Sequence, residues 1–273
     1  GTKGKYYFVS NEWFGQDGLM NWESHGYSND SVFAKVNSYK IDTRKSEVVA
    51  DSSFFYNKFD FLMPIIGKVV NKIAKGKQSN MYPKFSSYSK NVVLKDIFSN
   101  IDYRGGYTMH GKDFIADGGD YAEAKIVFRR NDKEIFIANA NRFSITSDRI
   151  IAKESAVKIF FDNDSIYHGN LQFKYIDSKR QLQLYRDVSG LSGGPMLNTY
   201  HNVTMDFELL QWNIDSDIIT FGSLPGSAES RVEFESVNRY MQTKFESMHG
   251  IDAVHPLILV KNYVETKQET NRL

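Results

Sequence analysis

Apolar and polar side chains alternate along most of this chain. Val32, Ala34 and Val36 alternate with Phe33, Lys35 and Asn37, the polar run Thr43-Arg44-Lys45-Ser46 turns, and Val48 to Tyr56 returns. A period of two puts successive side chains on opposite faces of a pleated strand, so this segment reads as a β-hairpin. The pattern repeats where Leu171, Phe173 and Tyr175 alternate with Gln172 and Lys174, and Leu182 and Leu184 follow Asp177-Ser178-Lys179-Arg180. That predicts a second hairpin with one wet face. Between the two, residues 113 to 161 read as strands separated by the polar turns Arg130-Asn131-Asp132-Lys133 and Ser147-Asp148. Tyr6, Tyr7 and Phe8 open the chain with strand-like material, and a Trp/Gly-rich stretch runs from Trp13 to Trp22.

Inside this rhythm a short phrase recurs: two apolar residues, an alanine, a polar residue. It reads Val48-Val49-Ala50-Asp51, Phe114-Ile115-Ala116-Asp117, Phe136-Ile137-Ala138-Asn139 and Ile150-Ile151-Ala152-Lys153. Each copy predicts a strand whose small alanine sits at a crowded inner position. Units of this kind cannot bury an apolar face alone, so they imply stacked rungs. The expected fold is all-β: a β-solenoid, or a jelly roll or sandwich, of short antiparallel strands.

Two segments break the pattern. Leu62, Ile65, Ile66, Val69, Val70 and Ile73 recur at helical spacing, with Lys68, Asn71, Lys72 and Lys75 on the other side. This predicts a basic amphipathic helix over about 62–75, started near Pro64 and stopped at Gly76. Such a helix either closes the open end of a β-core or lies on an anionic membrane surface. Leu62, Ile65, Ile66, Val69, Val70 and Ile73, with Lys68 and Lys72, are therefore the candidate ligand-binding or membrane-contacting residues. Near the C-terminus, Ser230 and Glu233 have capping-box spacing before the stripe Val237, Tyr240, Met241, Phe245 and Met248, which Gly250 ends. A second helix is expected from Leu257 to Tyr263 with Pro256 in its first turn. His255 reads as a boundary residue. The domain reading is a β-rich domain over 1–225 with the helix inserted near 62–75, then a helical segment over 226–273.

Composition narrows the possible functions. With 34 Lys plus Arg against 33 Asp plus Glu, no global field attracts nucleic acid. The 20 Phe and 16 Tyr suit half-buried pleated surfaces. The absence of cysteine removes disulfides, thiolate metal sites and a cysteine nucleophile. No segment approaches the roughly 20 apolar residues of a membrane-spanning helix. The start Gly1-Thr2-Lys3-Gly4, with neither Met nor a signal-peptide pattern, is read as a processed or excised end.

The hairpin from Ser31-Val32-Phe33-Ala34 through Tyr39-Lys40-Ile41-Asp42 to Ser46-Glu47-Val48-Val49-Ala50-Asp51 resembles the repeat of bacterial lipopolysaccharide-transport periplasmic proteins of the OstA/LptA type. Phe136 to Phe161 is similar to it. The resemblance implies stacked β-rungs forming an open jelly roll or solenoid whose apolar interior carries acyl chains. Asp164-Ser165-Ile166-Tyr167-His168 through Tyr175, with Tyr200-His201, also resembles large uncharacterised envelope proteins of Gram-negative bacteria. These likenesses imply the bacterial cell envelope, periplasmic or outer-membrane associated, with lipid, glycolipid or other envelope proteins as partners.

Three chemical alternatives remain. Gly190-Leu191-Ser192-Gly193-Gly194-Pro195 resembles the serine loop of chymotrypsin-like proteases, although Leu191 replaces the aspartate before the serine. Ser192, His110 and Asp113 would form the triad; a Gly-rich turn explains the same letters. Asp113, Asp117, Asp120 and Glu123, and separately Asp162-Asn163-Asp164, offer oxygen ligands for Ca²⁺, though neither group forms a calcium loop and turn chemistry accounts for both. Trp13, Trp22 or Trp212 would stack on sugars if exposed, the basis for a glycan-binding module. The leading expectation is a non-enzymatic scaffold or binder of an amphipathic ligand, with no catalytic residues, metal or cofactor.

Overall fold

The computed structural model describes residues 3–72, 81–118, 123–186, 194–224, 232–238 and 256–267. The chain divides into two compact units, Gly1–Phe234 and Glu235–Leu273.

The first unit is antiparallel β-structure throughout. Strands β1 (Lys3–Tyr7), β2 (Glu12–Asn21), β3 (Val32–Asp42), β4 (Glu47–Asn57), β5 (Ile65–Lys72) and β6 (Lys84–Ser87) pair in succession. The ladder then forks. β7 (Val92–Phe98) pairs with the N-terminal half of β8 (Ile101–His110), whose C-terminal half pairs with β6. On the other edge of β8, Gly106 to His110 take β9 (Asp113–Asp117) and Ile101 to Arg104 take β10 (Ala124–Arg130). β10 continues into β11 (Lys133–Ala140) and β9 into β12 (Arg142–Ile145). Both branches meet the long β13 (Arg149–Phe161), β12 at its first half and β11 at its second. β14 (Asp164–Ile176) pairs along β13 and divides its own partners: β15 (Gln181–Tyr185) takes one half, and β16 (Met196–Asn198) with β17 (Val203–Asp206) the other. β18 (Leu209–Asn213) and β19 (Ile219–Gly222) extend the β15 branch.

Local chemistry explains why single strands serve two branches. In β13 the register against β14 shifts between Ala152 and Ser155 and again before Val157, and such bulges bend and twist a strand. β4 carries a similar shift between Ala50 and Ser53, with Ser52 at φ 55°. In β8 the change of partners falls at Gly105-Gly106, where a Cβ on Gly105 would stand 2.3 Å from the Tyr103 hydroxyl. That hydroxyl donates to the Gly106 carbonyl at 2.5 Å, so the corner is closed by a ring a side chain would displace.

Rings from both branches converge on Phe173 and Tyr175 of β14 in one aromatic core. Phe136 of β11 lies 5.9 Å from Phe173 of β14, Phe128 of β10 lies 5.1 Å from Tyr175, and Phe143 of β12 lies 5.9 Å from Phe173. Phe55 of β4 stacks on Phe85 of β6 at 4.2 Å. All of these rings are fully buried and belong to one contiguous cluster that also holds Trp22, Ile126, Ile159 and Leu184. The sandwich-like all-β class expected from the alternation is the class observed.

The four alanines of the recurring phrase all lie on strands and are buried: Ala50, Ala116, Ala138 and Ala152. Their cross-strand partners show why they are small. Ala116 is opposite both Tyr107 and Phe143, and Ala152 is opposite Phe173. The predicted hairpins are β3–β4 and β14–β15, the latter turning through a 3₁₀ segment at Asp177–Lys179 with Arg180 at φ 50°.

Two sequence expectations are corrected. Residues 65–72 form strand β5 rather than an amphipathic helix. Val69 is fully buried, Ile65 is partly buried against the core, and Ile66 and Lys68 point outward, so the expected helical face is divided between the two sides of a sheet. Four β-branched residues in eight favour the strand, and pairing with β4 and β6 satisfies the backbone that a helix would have satisfied internally. Leu62 lies before the strand and is fully exposed; Ile73 and Lys75 lie outside the described residues. Likewise Glu233 sits in strand β20 (Glu233–Ser236), not in a capping box, because Val232, Phe234 and Ser236 alternate with Glu233 and Glu235. Residues 239–255, including His255 and most of that stripe, lie outside the described residues.

In the second unit, helix α1 (Pro256–Lys267) starts at the expected proline and leaves Ile258, Leu259, Val260 and Tyr263 exposed. Among the described residues, no helix is long and apolar enough to cross a membrane.

Candidate functional site

Open apolar volume occurs beside the aromatic core rather than through it. One cleft of about 540 Å³ lies where β14, β16, β17 and β19 converge. Its size is within the range of small-molecule sites. The inner surface carries Ile166 of β14, Met205 of β17, and Ile219 and Phe221 of β19. Register places them: Ile166 is opposite Asn198, Met196 is opposite Met205, and Leu210 is opposite Phe221. Phe221 packs on the buried Phe207 at 4.8 Å and on Phe234 at 6.0 Å. At the rim, Tyr200 and Phe234 are each more than half exposed, and Tyr200 meets the His201 ring edge-on at 4.7 Å.

Polar groups fix the walls. Asn198 accepts from the His201 backbone N–H at 3.2 Å and turns its amide toward the Met205 sulfur at 3.8 Å. The turn before β19 is anchored by Arg130, which donates to the Ile214 and Ser216 carbonyls and pairs with Asp217 at 2.5 Å. The Arg130 guanidinium also lies over the Trp212 ring at 5.8 Å. Arg180 holds the same turn from the other side through Asp215 and donates to the Ser99 carbonyl at 2.9 Å. The cleft is thus a mainly apolar surface on a braced frame, with Asp162, Asn198, His201 and Asp217 also in its lining.

The buried His168 on β14 has a defined protonation pattern. Its Nδ1 accepts from the Asn170 N–H at 3.0 Å, so the proton is on Nε2, which donates to the Gly194 carbonyl at 2.9 Å. Burial pushes the imidazole below its ordinary range, and Arg186 adds to the effect. His110 is likewise pushed down, first by burial and then by Lys84 and Arg142, and its buried Nε2 has no hydrogen-bond partner among the described residues.

Of the protease residues, His110 and Asp113 are cross-strand neighbours at the β8–β9 hairpin, and Ser192 lies outside the described residues. For the calcium alternative, Asp117 is ion-paired with Lys90 at 3.0 Å, Asp120 is outside the described residues, and Asp164 accepts from the Thr199 hydroxyl at 3.0 Å. Among the described residues, no group of three or more His, Asp or Glu side chains is placed to hold a metal ion. The sugar-stacking alternative loses two of its three residues, since Trp22 and Trp212 are core side chains and the Trp212 Nε1 donates to the Ser216 carbonyl.

Of the cleft residues, Phe161, Asp162, Ile166, Tyr200 and His201 fall in segments that the sequence analysis names, whereas Met205, Ile219, Phe221 and Phe234 do not. Val203-Thr204-Met205 and Ile219-Thr220-Phe221 do alternate, yet three residues cannot be told from ordinary strand edges. In comparison with known proteins, no family model and no curated protein matches this chain.

Proposed function

We propose that this chain is a non-enzymatic module of the bacterial cell envelope, periplasmic or outer-membrane associated, that binds the apolar part of a lipid or glycolipid. The observation that supports this is the cleft itself: Ile166, Met205, Ile219 and Phe221 present an apolar surface on a braced frame, between the exposed rings of Tyr200 and Phe234. Water against such a surface is displaced favourably by hydrocarbon, at about 0.8 kcal/mol per methylene buried. Apolar contact supplies most of the affinity, and Asp162, Asn198, His201 and Asp217 in the same lining offer polar contacts to a headgroup. The packed aromatic core favours an acyl chain seated in this cleft over one threaded through the interior. The envelope location rests on the resemblance of the alanine-bearing hairpins to lipopolysaccharide-transport proteins.

The test uses a dansyl fatty acid whose emission rises in apolar surroundings. Saturable binding, displaced by a long-chain phospholipid and weakened about tenfold in the Tyr200→Asp/Phe234→Asp variant, is the expected result. Both rings are exposed, so the fold should tolerate the change, and circular dichroism checks this. Absence of saturable binding, or equal binding by the folded variant, rejects the proposal.

A further inference from the structure

A second pocket, of about 340 Å³, opens where the branches diverge at β7, β8, β9 and β12. It differs from the apolar cleft in chemistry. Leu94, Ile97, Met109 and Ile145 line its apolar part, but Tyr27, Phe59, Tyr107 and Phe114 give it aromatic walls around the carboxyl of Asp60. The rings are set by mutual packing: Tyr107 stacks with Phe114 at 4.7 Å and meets Phe61 edge-on at 4.8 Å, and Tyr27 leans toward Phe59 at 6.1 Å.

Asp60 sits at the accessible mouth with its carboxyl turned toward the wall. Oδ2 accepts from the Tyr107 hydroxyl at 2.7 Å and from the Asn57 amide at 2.6 Å. Oδ1 receives no hydrogen bond from the described residues. The carboxyl is also without a Lys or Arg partner among them; Lys112, the cation of this pocket, makes no ion pair with it. Burial pushes Asp60 above the usual carboxylate range, the Tyr107 bond only partly opposing this. The Asp60 carboxyl, accessible and without a cation partner among the described residues, attracts a positive charge, and the rings and aliphatic side chains beside it offer apolar contact. A positive charge carried on an apolar body satisfies both.

We propose that this pocket binds an organic ammonium group, quaternary or alkylated, with the cation against Asp60 and the aromatic walls and its alkyl part toward Leu94, Ile97 and Ile145. The proposal is independent of the lipid-binding reading, since it concerns different residues and a different class of ligand group. An ammonium of this kind is found both in free amines and in zwitterionic lipid headgroups, and the two sources share the same recognition.

Isothermal titration of the whole chain with choline, against its neutral isostere 3,3-dimethyl-1-butanol, tests the charge requirement. Choline should bind at least about tenfold more tightly than the isostere, and Asp60→Asn should abolish that difference. Phe59→Leu, at an exposed ring, should weaken choline several-fold without touching the core. Equal affinity for choline and the isostere, no choline binding, or unchanged binding by folded Asp60→Asn would overturn the proposal. If Asp60→Asn does not fold, the isostere comparison and Phe59→Leu still decide it. Competition by phosphatidylcholine vesicles but not by anionic vesicles assigns the group to a lipid; competition by free choline alone assigns it to a soluble amine.

Discussion

Replacing Gly67 by alanine separates the strand from the helix in residues 62–75 by the sign of one number. In β5 a Cβ on Gly67 would stand 2.2 Å from the Ser86 carbonyl oxygen and 2.6 Å from two carbons of the Phe85 ring. The added methyl therefore has to move the β6 backbone or the ring by roughly 1 Å to reach ordinary contact. Phe85 has little freedom to yield, being fully buried and stacked on Phe55. Overpacking of this kind costs about 1–3 kcal/mol, and a backbone obstacle places Gly67→Ala toward the upper end. In an exposed helix the same substitution would stabilise by about 1 kcal/mol. Urea unfolding followed by emission of the buried Trp22 and Trp212 measures the difference. The thermal midpoint should fall by about 4–10 °C for a unit of this size. Lys68→Ala, whose ion pair with Asp51 is exposed at both ends, should change stability by less than about 0.5 kcal/mol and serves as control. A midpoint at or above that of the unaltered protein would refute the strand packing argued for Gly67.

Four further outcomes follow from the same structure. Phe173→Ala removes the ring that Phe128, Phe136 and Phe143 share, and should cost about 3–5 kcal/mol by urea unfolding. Ala116→Leu forces a branched side chain between Tyr107 and Phe143 and should cost at least about 1–3 kcal/mol in the same assay. Stability should be flat above the ordinary histidine pKa of about 6.5 and fall as pH drops from there toward the lower folded values of His110 and His168. The sign follows because the unfolded chain binds those protons first; His110→Gln/His168→Gln should flatten the profile, and an unchanged slope would contradict the assignment. Arg130→Met should loosen the turn before the cleft, seen as faster amide exchange at Ile214 to Ile218 with little change in the Phe128–Phe173 core.

The fold was legible where periodicity was long and neighbours were local. Val32 to Val36 and Leu171 to Tyr175 each declare a buried face by alternation alone, and the alanines declared crowding because large rings had to lie opposite them. Residues 65–72 misled because Ile65, Ile66, Val69 and Val70 share one face at a period of 3.6 but divide between both faces of a strand, and only the pairing with β4 and β6 selects the strand. The cleft and the Asp60 pocket were invisible for another reason. Asp60 and Tyr107 are 47 positions apart, and Ile166 and Phe221 are 55 apart, so their proximity comes from where the ladder forks rather than from any local spacing.

The fork in β8, β13 and β14 has a kinetic consequence. β8 and β13 each pair with both the β9–β12 and the β10–β11 branch, and β14 with both β15 and β16, so no branch can peel away without breaking an edge that another shares. Slow amide exchange should therefore appear together on both sides of the sandwich, as one cooperative opening, while β1 exchanges early from the margin. Assembly inherits the same constraint: the shared strands must find partners distant in sequence before either side is complete, which makes this a slow folder that commits all at once.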